Sequence, residues 1–126
     1  VNNLMSDPRA LVVDDDEPIR TLLARIVAHE GFSVETAKDG REAIDRIEAD
    51  GYNVILLDLM MPRVDGYQVL DHLREEHPEM VPCTIVATAI PERDLRRQSI
   101  SGVFKVHSKP FDIARLVADI RECAAA

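Results

Sequence analysis

Three aspartates stand side by side at Asp14-Asp15-Asp16, directly after the apolar run Ala10-Leu-Val-Val13. A fourth, Asp58, ends a second apolar run, Val54-Ile-Leu-Leu57, and is followed by a turn carrying Pro62 and then Asp65-Gly66. Thr88 closes a third run, and Lys109 stands before Pro110 after a fourth. Carboxylates held within a few ångströms of one another repel, and they persist only by protonating or by binding a cation. A hard divalent ion with oxygen ligands answers that need. Mg²⁺ suits it, because it accepts one or two carboxylates, keeps several waters and takes phosphate oxygens in the remaining positions. A lysine and a hydroxyl beside such an ion are what a phosphoryl group requires, since its transfer depends on in-line placement and charge neutralisation. In such a site Asp58 is the nucleophile and forms an aspartyl phosphate, while Thr88 and Lys109 hold the other phosphoryl oxygens.

These residues meet only if the chain folds so that the ends of its apolar runs share one edge. Ala10–Val13 predicts a first strand. Pro18 then suits a first helical turn, and Ile19, Leu22, Leu23, Ile26 and Val27 recur at helical spacing up to a stop at Gly31. Phe32–Thr36 predicts a second strand. Asp39 with Glu42 makes a capping-box pattern for a helix burying Ala43, Ile44 and Ile47, closed by Gly51. Asn53–Leu57 predicts the third strand, an uninterrupted apolar run of the kind buried on both faces of a parallel sheet. Asp65 with Gln68 repeats the capping pattern for a helix carrying Val69, Leu70 and Leu73 and ending before Pro78. Thr84–Ala89 and Val103–His107 predict the fourth and fifth strands. Between them Pro91–Ser99 predicts a weaker helix, charged and short of apolar anchors. Ile113, Leu116, Val117 and Ile120 mark the last helix.

Five β-α repeats imply a doubly wound parallel α/β sheet with five helices on its two faces. Right-handed crossovers leave few topologies, and the order 2-1-3-4-5, that of flavodoxin-like folds, sets the ends of strands 1 and 3 side by side at the switch point, where ligands bind. At 126 residues the chain suits one domain with one core, and the expected division is an N-terminal extension over 1–7, the domain over 8–124 and a tail over 125–126.

A formal net charge of −8 without a Lys/Arg-rich block argues against nucleic acid as a direct ligand. No apolar run reaches the length of a membrane span, and the first residues do not resemble a signal peptide. Cys83 and Cys123 have no metal or CxxC spacing and read as reduced thiols of a cytoplasmic protein. His29, His72, His77 and His107 share no metal spacing either. Asp16 and Glu17 read as helix N-terminal charges, Asp65 as a cap, and Arg93, Arg96 and Arg97 as a solvated helix face.

Val12-Val-Asp-Asp-Asp-Glu-Pro-Ile-Arg20, the stretch around Asp58, Ala87-Thr-Ala89 and Ser108-Lys-Pro-Phe111 together resemble the receiver domain of bacterial two-component response regulators. The resemblance implies that Asp58 takes a phosphoryl group from a phosphohistidine of a sensor histidine kinase or phosphotransfer protein. It also implies that Asp15 binds Mg²⁺ directly and Asp14 through water, that the Met60 backbone carbonyl completes the protein ligands, and that Mn²⁺ can substitute. Thr88 then turns towards the phosphate, Lys109 contacts it, and the Lys109–Pro110 bond is cis. The implied protein is a signalling phosphoacceptor that assists its own phosphorylation and dephosphorylation rather than an enzyme. It would act on a target or output domain through its fourth helix, fifth strand and fifth helix, with homodimerisation on phosphorylation as one form of that output. The chain reads either as a stand-alone receiver or as part of a longer regulator. Val106 stands where the family usually carries Tyr or Phe, and Phe104 is not a simple replacement, which leaves the ring-flip part of the family mechanism without its ring. Met60 and Ile90 occupy positions that influence dephosphorylation, and neither can orient a water by hydrogen bonds, so a long-lived phosphoryl group is expected.

Other readings explain less. A Mg²⁺-dependent phosphohydrolase with an aspartate nucleophile needs a second acid two residues on, where Met60 stands. A flavin-binding module needs a Ser/Thr/Gly-rich loop after strand 1, where three aspartates stand and would repel phosphate. A receiver-like interaction module that works without phosphate has no use for the complete set of five side-chain positions.

Overall fold

A computed structural model describes residues 7–125. The expected N-terminal extension and the end of the expected tail therefore lie outside the described residues, apart from Asp7 and Ala125. Five strands, β1 (Arg9–Val13), β2 (Ser33–Ala37), β3 (Val54–Leu57), β4 (Thr84–Thr88) and β5 (Lys105–Ser108), form one sheet in the order β2-β1-β3-β4-β5, every pair parallel. Four α-helices, α1 (Glu17–His29), α2 (Gly40–Ala49), α3 (Gly66–Glu76) and α4 (Ile113–Ala125), cover its faces.

Alternation along the central strands divides the core in two. Leu11, Val13, Ile55 and Leu57 join the apolar sides of α2 and α3, whereas Ala10, Val12, Val54 and Leu56 join those of α1 and α4. Because β1 and β3 have apolar residues on both faces, they lie fully covered at the centre of the sheet. The helices start where the sequence signals them. Asp16 accepts the Ile19 N–H at 3.1 Å to cap α1, and Asp65 and Gln68 form a complete capping box on α3, both bonds 3.0 Å. At α2, Asp39 accepts the Glu42 N–H, but the Glu42 carboxylate takes the N–H of Lys38 instead of closing the box.

The connection from β4 to β5 differs from the expected helix over 91–99. It forms two 3₁₀ turns, Glu92–Asp94 and Arg97–Ile100, with extended backbone at Leu95 and Arg96 between them. The segment has no repeating apolar stripe to bury, and neither turn has a side-chain cap. The Arg74 guanidinium of α3 instead satisfies the carbonyls of Ser99 and Ser101, at 2.7 and 2.8 Å. A further 3₁₀ segment, Pro78–Cys83, leads into β4.

Gly66 is fixed by close approach. A Cβ there would lie 2.6 Å from Leu59 Cα and closer still to the carbonyl oxygen of Asp58. The first turn of α3 therefore rests directly on the backbone that follows β3, and the Gly66 N–H donates to the Leu59 carbonyl at 3.0 Å. Gly66→Ala is expected to destabilise the protein by about 2–3 kcal/mol through overpacking against backbone. Urea denaturation measures this, and a loss below about 0.5 kcal/mol, the level of an ordinary surface change, would show that α3 can lift away from Asp58 freely.

Candidate functional site

The strand order brings together the residues that the sequence separates by up to 95 positions. Val13 and Leu57 are register partners on β1 and β3, so Asp14 and Asp58 leave the sheet side by side. The ladder continues into both aspartates: the Asp14 N–H donates to Ala37 O at 3.1 Å and the Asp58 N–H to Val13 O at 3.0 Å. Both side chains are buried, Asp14 at 1% and Asp58 at 4% exposure, while Asp15 faces solvent. Oxygens of Asp14, Asp15 and Asp58 all lie within 4.8 Å of one another.

Lys109 reaches in from the end of β5. Its Nζ stands 2.9 Å from Asp14 Oδ2 and 3.5 Å from Asp58 Oδ2. One ammonium thus serves two buried carboxylates. Burial draws the ammonium down, but the hydrogen bond that Lys109 donates to Asp14 and the charges of Asp58 and Asp14 more than offset it, and Lys109 is held above its ordinary value. The Asp58 carboxyl is pushed up to about 6, first by burial and then by the charge of Asp14, against the pull of Lys109 and of the Met60 N–H, with Asp15 adding a smaller push. The Met60 N–H lies 3.2 Å from Asp58 Oδ1, and the Asp16 N–H holds Asp14 Oδ1 at 2.9 Å.

Thr88 is placed differently. Its side chain is buried at the end of β4, and its hydroxyl accepts the Ile90 N–H at 3.0 Å rather than bonding the carboxylates. The Lys109 N–H donates to the Thr88 carbonyl at 2.8 Å, which ties the two residues through the backbone, and the Lys109–Pro110 peptide is cis. Val106 is an exposed residue of the edge strand β5, and Phe104 packs into the core on the α1 and α4 side, so neither supplies a ring at the usual position.

Several contributors were not legible beforehand. The Arg20 guanidinium donates to the Asp14 carbonyl at 2.9 Å from one turn into α1, a contact with no local motif. Arg63 takes a φ of +65° in the turn after β3. Beside the acidic cluster lies a cleft of about 380 Å³ bordered by Asp15, Met60, Tyr67, Ile90 and Arg96. There the Arg96 guanidinium carbon sits 4.4 Å from the centre of the Tyr67 ring, and the Arg96 N–H donates to the Tyr67 hydroxyl at 3.2 Å. Arg96 therefore holds the 91–100 segment to α3, rather than serving as part of a solvated helix face. The histidines also sort unexpectedly. His107 pairs with Asp119 at 2.7 Å, and His72 and His77, with no metal spacing between them, converge on Glu48.

A doubly wound sheet whose switch point carries buried aspartates from β1 and β3 and a lysine from β5 defines a class of domain built around phosphoryl groups and divalent ions. The comparisons with known proteins give the family. The model of the response regulator receiver domain matches residues 10–121. The response regulator MprA of Mycolicibacterium vanbaalenii is 39% identical over 117 residues, which are 90% of this chain and 48% of that protein. MprA of Mycobacterium tuberculosis is 38% identical, over 90% of this chain and 49% of its own. The receiver domain of the Francisella response regulator 1452 superposes with a TM-score of 0.83 at 29% identity, covering 94% of this chain and 98% of that one. The response regulator TrrA of Thermotoga maritima, solved with Mg²⁺ and a beryllium fluoride, superposes with a TM-score of 0.79 at 28% identity, over 92% of this chain and 98% of that one. The chain is a response regulator receiver domain, the phosphoacceptor module of two-component signalling. It spans about half the length of the curated relatives it matches. No helix among the described residues is long and apolar enough to cross a membrane.

An aspartate in the unfolded chain titrates at about 3.9. Between that value and about 6 the folded protein retains on Asp58 a proton that the unfolded chain has released, so stability falls as pH rises through this window. In the presence of a chelator, Asp58→Asn is expected to be more stable than wild type by about 1–3 kcal/mol at neutral pH, with the gain vanishing below about pH 4. Urea curves across that range check it. A variant no more stable than wild type at neutral pH would mean that Lys109 already compensates both buried carboxylates.

Proposed function

We propose that Asp58 accepts a phosphoryl group from the phosphohistidine of a sensor histidine kinase or phosphotransfer protein. The observation that carries this reading is the buried Asp58 carboxylate beside a second buried carboxylate, with one shared ammonium 3.5 Å away. Such a site is one negative charge in excess even before Asp15 is counted. A cation is the economical remedy, and the donor set is entirely oxygen, as Mg²⁺ prefers. Asp14, Asp15, Asp58 and the Met60 backbone carbonyl would hold it, with Mn²⁺ as a substitute. When bound, the ion supplies charge neutralisation for the phosphoryl oxygens.

The protein's own groups do the rest. With its carboxyl at about 6, Asp58 is mostly ionised at neutral pH and is available as a nucleophile. One of its oxygens attacks phosphorus, a P–O bond forms, the P–N bond to the donor imidazole breaks, and the imidazole leaves. Lys109 exchanges its contact with Asp58 for a phosphoryl oxygen. Thr88 turns its hydroxyl inward, which frees the Ile90 N–H it now accepts. The new group adds about −1.5 to −2 charges at this edge of the sheet, and it can shift the domain only through contacts that differ between two states. The rearranged surface is the face formed by residues 91–100, β5 and α4, and it acts on a target or output domain in the cytoplasm, with pairing of two phosphorylated copies as one form of readout. Since Val106 carries no ring, the link between the cleft and residues 91–100 runs through Tyr67 and Arg96.

The test is intact mass after incubation with acetyl phosphate and Mg²⁺. Wild type is expected to gain one phosphoryl group and Asp58→Ala none. No gain in a wild type that binds Mg²⁺ normally would overturn the reading in favour of a module that works without phosphate. The lifetime of the phosphoryl group follows from its neighbours. Met60 is 60% exposed and Ile90 is partly buried, and neither side chain offers a hydrogen bond to orient an attacking water. Phosphorylated protein at neutral pH is expected to keep its group for many minutes to hours, and loss within seconds would refute this.

A further inference from the structure

We infer that Glu48, His72 and His77 form a second metal site, selective for a borderline transition ion such as Zn²⁺, at the opposite end of α3 from Asp58. Glu48 lies in the last turn of α2. His72 lies in the last part of α3, and His77 caps it. His72 Nε2 and His77 Nε2 stand 2.8 and 2.6 Å from the same oxygen, Glu48 Oε2. Two imidazole nitrogens and a carboxylate oxygen, one from each side chain, all lie within 4.8 Å of one another. Tetrahedral ligands at about 2.0–2.1 Å from Zn²⁺ are themselves about 3.4 Å apart, so small rotamer changes admit an ion between the three. Each imidazole would then carry its proton on Nδ1 and present the Nε2 lone pair. The Glu79 carboxylate lies 3.9 Å from His77 Nδ1, beyond hydrogen-bond length but near enough to become, after a small rotamer change, the outer partner that fixes the tautomer of a metal-bound imidazole.

The ligand types decide the ion. Two imidazoles suit Zn²⁺, Co²⁺ or Ni²⁺ and not Mg²⁺, whereas the all-oxygen aspartate cluster suits Mg²⁺. The two sites are also well separated. Gly66 rests on the Asp58 backbone, and α3 runs eleven residues from there, about 16 Å at 1.5 Å per residue, before His77. The three side chains are a quarter to a half exposed, which leaves a fourth coordination position open to water on the outer surface. The bound ion would join the ends of two helices that the apolar core already packs together.

The test titrates Zn²⁺ into the chelator-treated protein in excess Mg²⁺, which occupies the aspartate cluster, with calorimetry for stoichiometry and Co²⁺ absorption for geometry. One ion per chain and a tetrahedral Co²⁺ spectrum are expected. His72→Gln and His77→Gln should each weaken binding by more than the about 10–100-fold that loss of an outer partner costs, Glu48→Gln should weaken it as well, and Cys83→Ser should leave it unchanged. All four positions are partly exposed, and circular dichroism verifies that the variants fold. No uptake by wild type, or equal uptake by the histidine variants, would overturn the site. Phosphorylation of Asp58 should proceed in all of them, so this test fails independently of the phosphoacceptor reading.

Discussion

Two carboxylates, Asp14 and Asp58, are buried next to each other with a single ammonium between them. Like charges in a poorly hydrated place are expensive, and the domain tolerates them because the backbone leaves them no alternative. Each aspartate is the residue after a strand whose last backbone bonds it continues, and each strand is locked by apolar packing on both faces. The core energy of β1 and β3 thus holds the excess charge at the sheet edge. Burial, and after it the charge of Asp14, push the Asp58 carboxyl up to about 6, and an excess of negative charge in an all-oxygen cluster is what a hard cation neutralises.

The parts of the site that could be read in advance are those set by chain-local signals. Uninterrupted apolar runs ending in Asp14 and Asp58 gave both central strands and the position of their carboxylates, and alternation of strands and helices left few topologies, of which 2-1-3-4-5 is the one observed. Pro18 gave the start of α1, and the capping residues Asp39 and Asp65 gave those of α2 and α3. What was not legible depends on contacts between distant segments with no periodic signature. Arg20 reaches a carbonyl, Arg74 reaches two, and Arg96 stacks on Tyr67, and in each case a long flexible side chain could have found several partners. The same holds for His72 and His77: their separation fits no ligand motif, and only the packing of α2 against α3 supplies Glu48 between them.

The failed helix between β4 and β5 has the same cause, seen from the side of energetics. A helix of nine residues is marginal in water and survives by burying an apolar face. Residues 91–99 offer Leu95 alone in their interior, so the chain takes two short turns and draws its hydrogen bonds from a neighbour. The sequence pattern gave the connection its place in the fold but not its conformation.

This weakness bears on signalling. Local stability follows buried apolar contacts, and the elements that move are drawn from the weakly held end of the range. Around the site, α3 is held at its first turn by the close approach of Gly66 and along its length by Val69, Leu70 and Leu73, all fully buried. Neither 3₁₀ turn of residues 91–100 contains a buried residue. Besides the packing of its partly buried Leu95 and Ile100 against the core, the segment has three polar attachments: at its start the Ile90 N–H bonded to the Thr88 hydroxyl, at its middle Arg96 on Tyr67, and at its end Arg74. A phosphoryl group that draws the Thr88 hydroxyl away removes the first of these three attachments without touching the core. On the proposed reading the response would enter at Thr88 and reach a segment whose two turns contain no buried residue, a route that uses no aromatic ring at position 106.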